Sequence, residues 1–179
     1  MKVATSRAAT KRASNSTGAG DRTVVHGAFT LERIYPHAPA TVFAAWAIPE
    51  RKAAWFGQGP DFVERVEDYE LDFQVGGHER YHGPLQSGRT FGYDATFRDI
   101  VVGRRIVAAY DVLIAGRRIS VTLLTVEFEP AGNGTHLILS EHAAYLDGLD
   151  SIDLRLPGVE DMLAKLDAYL ATVDPRTGR

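Results

Sequence analysis

The sequence predicts one α+β domain: a curved antiparallel sheet around a long C-terminal helix, with two short helices after the first strand. Three observations predict it. Near the C-terminus, Val159, Met162, Leu163, Leu166, Leu170 and Val173 recur at the helical period, while Glu160, Asp161, Lys165 and Asp167 fall on other faces. Upstream, residues 68–142 alternate in character between turns marked by Gly76-Gly77, Gly83-Pro84, Ser87-Gly88, Gly103, Ala115-Gly116 and Gly132-Asn133-Gly134. Ahead of both, a β-rich run is followed by two short apolar segments beginning near prolines.

Taken in order, residues 1–22 hold almost no large apolar side chains and are expected to be a disordered basic tail, because they cannot bury enough surface to offset the entropy of ordering. The tail carries a formal charge of +4, against −7 for the rest. The folded domain is expected over 23–174, followed by a short tail over 175–179. Val24 to Tyr35, with Phe29 and Leu31 among β-branched residues, suits a strand that Pro36 and Pro39 end. Val42, Phe43 and Trp46 then share a helix face, and Pro49 begins a second short helix reaching Trp55-Phe56. About six strands follow, the last two joined through Gly132-Asn133-Gly134 as a hairpin. An irregular stretch with Asp147, Asp150 and Asp153 precedes Pro157, which is expected in the first turn of the long helix, where its missing N–H costs nothing. Asp174-Pro175 is expected to stop that helix.

A helix about 10–12 Å wide does not fill the concave face of so long a sheet, so a ligand cavity between them is expected. The net charge of −3 gives no electrostatic ground for nucleic acid, which requires clustered cations to displace counterions. Hydrophobic residues at 45% and charged residues at 24% are ordinary for a globular chain. With no cysteine, disulfides, thiolate metal sites and a cysteine nucleophile are excluded. No apolar run approaches the roughly 20 residues that span a bilayer, so no membrane insertion and a cytoplasmic location are expected.

The residues also carry a family resemblance. Glu32-Arg33 through Ala38-Pro39, Val42-Phe43, Ala45-Trp46, Pro49-Glu50 and Trp55-Phe56 resemble the opening of the START-like, or SRPBCC, proteins homologous to the C-terminal domain of the heat-shock protein 90 ATPase activator. Gly76-Gly77 with Glu79 and Arg80, Phe97-Arg98-Asp99-Ile100 with Arg105-Ile106-Val107, and Thr125-Val126-Glu127-Phe128 to Gly134-Thr135 are similar to later stretches of that family. Tyr145-Leu146-Asp147-Gly148 resembles an uncharacterised bacterial branch. The resemblance runs over roughly residues 27–172 and implies the helix-grip fold. It leaves chemistry open, because the superfamily includes lipid carriers, polyketide cyclases and aromatases, hormone receptors and chaperone activators.

On the strand from Gly77 to Gly83, the family's inward positions fall on Glu79 and Tyr81, placing His78, Arg80 and His82 on the other face. Glu79 is the first candidate catalytic carboxylate and Glu141, at the end of the last strand, the second. The competing reading pairs Glu79 with an interior Arg or Tyr. Candidate ligand-binding residues are Glu79, Tyr81, Tyr93, Tyr110, Glu141, Trp55, Phe56 and Leu166, with Trp55-Phe56 expected at the pocket mouth and Trp46 in the core.

His78 and His82 lie about 13 Å apart along a strand, too far for one ion, and His136 and His142 face away from Glu141, so no metal is expected. No Gly-x-Ser-x-Gly elbow or nucleotide-binding glycine pattern occurs, and no cofactor is expected. The first functional expectation is a binding module for a small lipophilic or amphipathic molecule, allowing a homodimer. The second is a metal-free cyclase, aromatase or hydrolase using Glu79 and a tyrosine, and the third a chaperone-interaction domain.

Overall fold

The computed structural model describes residues 7–8, 15–16, 23–57 and 69–173. The remainder of the 1–22 tail, Gln58-Gly59-Pro60, Asp68, Asp174-Pro175 and the tail over 175–179 lie outside the described residues.

Seven strands form one antiparallel sheet: β1 (Val24–Tyr35), β2 (Tyr69–Leu71), β3 (His78–Pro84), β4 (Thr90–Val101), β5 (Arg105–Ile114), β6 (Arg117–Ala131) and β7 (Gly134–Leu146). Their order is β1-β7-β6-β5-β4-β3-β2, so every neighbour except the β1–β7 pair is consecutive in the chain. Arg7–Ala8 and Asn15–Ser16 pair with the outer edge of β1. The expected last hairpin is present but longer than the sequence indicated, with Phe128 opposite Leu137 and Ser120 opposite Tyr145.

Period-two burial assigns the inner face. On β1 it takes Phe29, Leu31, Arg33 and Tyr35, and on β3 Glu79 and Tyr81. On β5 it takes Ile106, Ala108, Tyr110 and Val112, and on β7 Leu137, Leu139, Glu141, Ala143 and Tyr145. Register shifts at Phe97/Asp99 and Val112/Leu113 leave an extra residue, Arg98 on β4 and Ile119 on β6, and each increases the local twist.

Two short helices follow β1. Pro39 opens α1 (Pro39–Ala47) and Pro49 opens α2 (Pro49–Ala53), each where a missing N–H has no intrahelical partner to lose. Extended Ile48 both ends α1 and precedes α2. Val42, Phe43, Ala45 and Trp46 of α1 are buried, with Phe43 edge-on to Phe128 at 5.3 Å.

The long helix differs from expectation at its start. α3 runs Ile152–Thr172, capped by Ser151, whose side chain accepts from the Leu154 N–H at 3.3 Å. Pro157 therefore lies inside the helix, not in its first turn. It withholds the N–H that would have paired with the Asp153 carbonyl, a loss offset by anchors on either side: the Ser151 cap, buried Leu156 and the Arg155 contacts described below. The apolar stripe faces the sheet as expected, with Leu156, Val159, Leu163, Leu166 and Leu170 buried. At the far end, Tyr35 OH donates to Asp167 at 2.8 Å and His37 Nε2 donates to the Val173 carbonyl at 3.0 Å.

Candidate functional site

Besides the Arg33–Asp167–Tyr35 cluster at the far end of α3, two polar centres interrupt the apolar inner face. The first forms where β2 and β3 meet α2. Leu71 pairs with Glu79, and Tyr69, two residues earlier, reaches the same carboxylate, its OH donating to Glu79 Oε1 at 2.8 Å. From α2, Lys52 places its Nζ 3.6 Å from the same oxygen. The Lys52 ammonium also lies 4.0 Å from the Trp46 ring centroid, 4.6 Å from Trp55 and 4.5 Å from Phe56. Both Lys52 and Glu79 are buried. Burial lowers the pKa of Lys52, and Glu79 opposes that shift only in part.

The second centre lies under the first turns of α3. Tyr110 of β5 reaches across β6 and donates to Glu141 Oε1 of β7 at 2.7 Å. Arg155 of α3 donates to Tyr110 OH at 3.2 Å, and also to Ser120 Oγ and to Asp150 just before the helix. Glu141 Oε2 and the Tyr145 hydroxyl are buried without a hydrogen-bond partner among the described residues. Burial raises the Glu141 pKa, against the lowering pull of Arg155 and of the Tyr110 hydrogen bond. Burial likewise pushes the Tyr145 hydroxyl up to about 12. Gly27 leaves room for the Tyr145 ring: a Cβ there would stand 3.0 Å from Tyr145 Cε2 and 2.6 Å from Ile152 Cδ1.

Tyr93 bridges the two centres, its ring 5.1 Å from Phe56 and 4.8 Å from Tyr110. Tyr93, Leu124 and Val159, which face inward beside the second centre, keep 7%, 8% and 7% exposure, whereas Glu141 and Tyr145 keep 3% and 2% and Leu139, Leu163 and Leu166 keep 0%.

A depression of about 790 Å³ lies on the outer face of the sheet around Glu70, His78, Arg80, His82, Asp94 and Asp111. Its charges are mutually paired: Arg80 lies 3.7 Å from Glu70 and 3.8 Å from Asp94, and His82 lies 3.0 Å from Asp94. Among the described residues, no three His, Asp or Glu side chains are placed to hold a metal ion. No described helix is long and apolar enough to cross a membrane.

The protein family described as activator of Hsp90 ATPase homolog 1-like protein matches residues 36–171. The chain belongs to this family. An uncharacterized protein from Rhizobium leguminosarum is 37% identical, with 84% of this chain and 97% of that one covered and a TM-score of 0.79. The Mll3558 protein from Rhizobium loti is also 37% identical, with 82% and 98% covered and a TM-score of 0.75. CalU16 from Micromonospora echinospora shares the fold at 20% identity, with 94% and 87% covered and a TM-score of 0.59. No curated protein matches the chain.

Within this activator-like SRPBCC fold, most residues singled out from sequence converge on the interior, in different roles. Glu79, Tyr93, Tyr110 and Glu141 belong to the two centres or the space between them. Tyr81 is buried but committed, its OH donating to the Gly57 carbonyl at 2.8 Å. Leu166 is fully buried under α3. Trp55 is a correction: it is 1% exposed, donates from Nε1 to the Ala45 carbonyl at 3.0 Å and packs on Trp46, so it is core and not a pocket mouth. Phe56 beside it is half-buried.

Sequence reasoning missed Lys52, Tyr69, Tyr145, Asp150 and Arg155. Two signals were present in the activator-like pattern. Lys52 sits between Trp46 and Trp55-Phe56, and Arg155 follows Asp150 in a stretch otherwise poor in cations.

Proposed function

We propose that this protein holds a small amphipathic molecule between the inner face of the sheet and the first half of α3, its polar group at Glu141. The observation that supports this reading is the pair of unpartnered buried polar atoms, Glu141 Oε2 and Tyr145 OH, on the inner face of β7. A buried polar atom without a partner costs about 1–3 kcal/mol, and a ligand's hydrogen bond would remove that cost. Tyr93, Leu124 and Val159 supply the apolar walls expected of a small-molecule site. Mass spectrometry of small molecules released by denaturing natively purified protein tests the reading. A recurrent species that falls in Glu141→Leu is expected; protein that releases nothing and shows no thermal shift with apolar ligands contradicts it.

A second reading rests on the Tyr110–Glu141 hydrogen bond of 2.7 Å. A carboxyl group with a raised pKa beside a phenol is equipped for proton transfer, which favours an acid–base enzyme of cyclase or hydrolase type. The sequence placed that role on Glu79, but Lys52 and Tyr69 occupy Glu79, so the role moves to Glu141. Under this reading Glu141→Gln abolishes turnover and retains binding.

A further inference from the structure

We propose, resting on the interior-binding reading above, that the head group taken at Glu141 is a neutral hydroxyl, as in an alcohol or a phenol, in preference to a carboxylate or an ammonium. The inference comes from which interior charges are already committed. Lys52 is enclosed by three rings and paired with Glu79 at 3.6 Å. Arg155 spans Asp150, Ser120 and Tyr110. The Glu141 end therefore holds one cation against two acidic groups, Asp150 and Glu141, and three of that cation's five N–H donors are already engaged.

A carboxylate brought to this end would meet Glu141 and Asp150, and the cation beside them, Arg155, is already paired with Asp150. It would have to repel them or take up a proton, and either weakens binding. An ammonium would be drawn to these carboxylates but would give up its water at a buried site, which costs several kcal/mol, and it can only donate, so it offers nothing to a protonated Glu141. A hydroxyl both donates and accepts. It can donate to Glu141 Oε2 when that carboxylate is ionised and accept from it when it is protonated, and it can do either with Tyr145 OH. Those are two of the five buried side-chain atoms without a hydrogen-bond partner among the described residues, the others being His37 Nδ1, Trp46 Nε1 and Thr122 Oγ1.

Calorimetric titration at pH 7.5 with three probes of one chain length, 1-octanol, octanoate and octylamine, tests the inference on the full chain. 1-Octanol is expected to bind at least about tenfold tighter than either charged analogue. Glu141→Gln, which still donates and accepts, is expected to keep octanol affinity within about threefold, and Glu141→Leu to lose about tenfold. Tyr145→Phe, which removes one hydroxyl only, gives a second variant should Glu141→Leu not fold, and it is expected to weaken octanol binding. Octanoate or octylamine binding as tightly as octanol overturns the head-group assignment and leaves the interior-binding reading standing. Octanol binding unaffected in Tyr145→Phe and in Glu141→Leu also overturns it, because the alcohol then sits elsewhere. Failure of all three probes to bind overturns both.

Discussion

Lys52 has exchanged bulk water for three ring faces at 4.0, 4.6 and 4.5 Å and one carboxylate. Ring faces supply about 0.5–2 kcal/mol to a cation, less than the several kcal/mol lost on dehydrating it. Glu79 must cover much of the remainder. Lys52→Met alone should therefore cost about 3–5 kcal/mol in urea unfolding, because it strands Glu79, while Lys52→Met with Glu79→Leu should recover most of that loss. Equal losses in the single and double variants would show that the pair is not coupled. Glu141 gives a pH signature. Burial raises its folded pKa above the ordinary 4.5, so the folded state holds the proton more tightly than the unfolded chain. The stability this contributes is complete below pH 4.5 and is lost as pH rises through the folded value. Urea titrations from pH 4 to 8 should show the stability of wild type relative to Glu141→Gln falling as pH rises; a flat difference would contradict the shift. Glu79 and Glu141 were legible in the sequence because strand parity decides which face a residue takes. Lys52 and Arg155 were not, because each lies on a helix and meets its partners across the fold, a relation that no local period encodes.

At the level of elements, α3 separates what pattern can reveal from what it hides. Its stripe from Val159 to Leu170 was legible because one buried face imposes a period of 3.6 on the apolar residues. Its start was not. Ser151 is followed by Leu154 where a capping box would place Glu or Gln, and Pro157 reads as a beginning when it lies inside the helix. Ser151→Ala should lower stability by about 1 kcal/mol by removing the acceptor for the Leu154 N–H. Pro157→Ala should raise the melting temperature, since an interior proline costs up to about 3 kcal/mol relative to alanine and the Asp153 carbonyl regains a donor. A drop in melting temperature for Pro157→Ala would mean that the proline ring makes packing contacts worth more than the hydrogen bond.

For the whole molecule, the central relation is between one helix and the curved sheet it covers. α3 seals Leu139, Leu163 and Leu166 completely, while Tyr93, Leu124 and Val159 keep 7–8% exposure. The fold was legible because six short motifs fall in the right order along the chain. The division of the interior was not, because how far a helix seals a cavity depends on the summed volumes of side chains from seven strands. The outer depression is the alternative place for such a molecule, and exposed Val121 lies at its edge. Methyl NMR during titration with 1-octanol tells the two apart in one measurement. Interior binding requires saturable shifts at Leu124, Val112 and Val159 that are lost in Glu141→Leu, with Val121 unmoved; shifts confined to Val121 and its outer-face neighbours, or none at all, would contradict it.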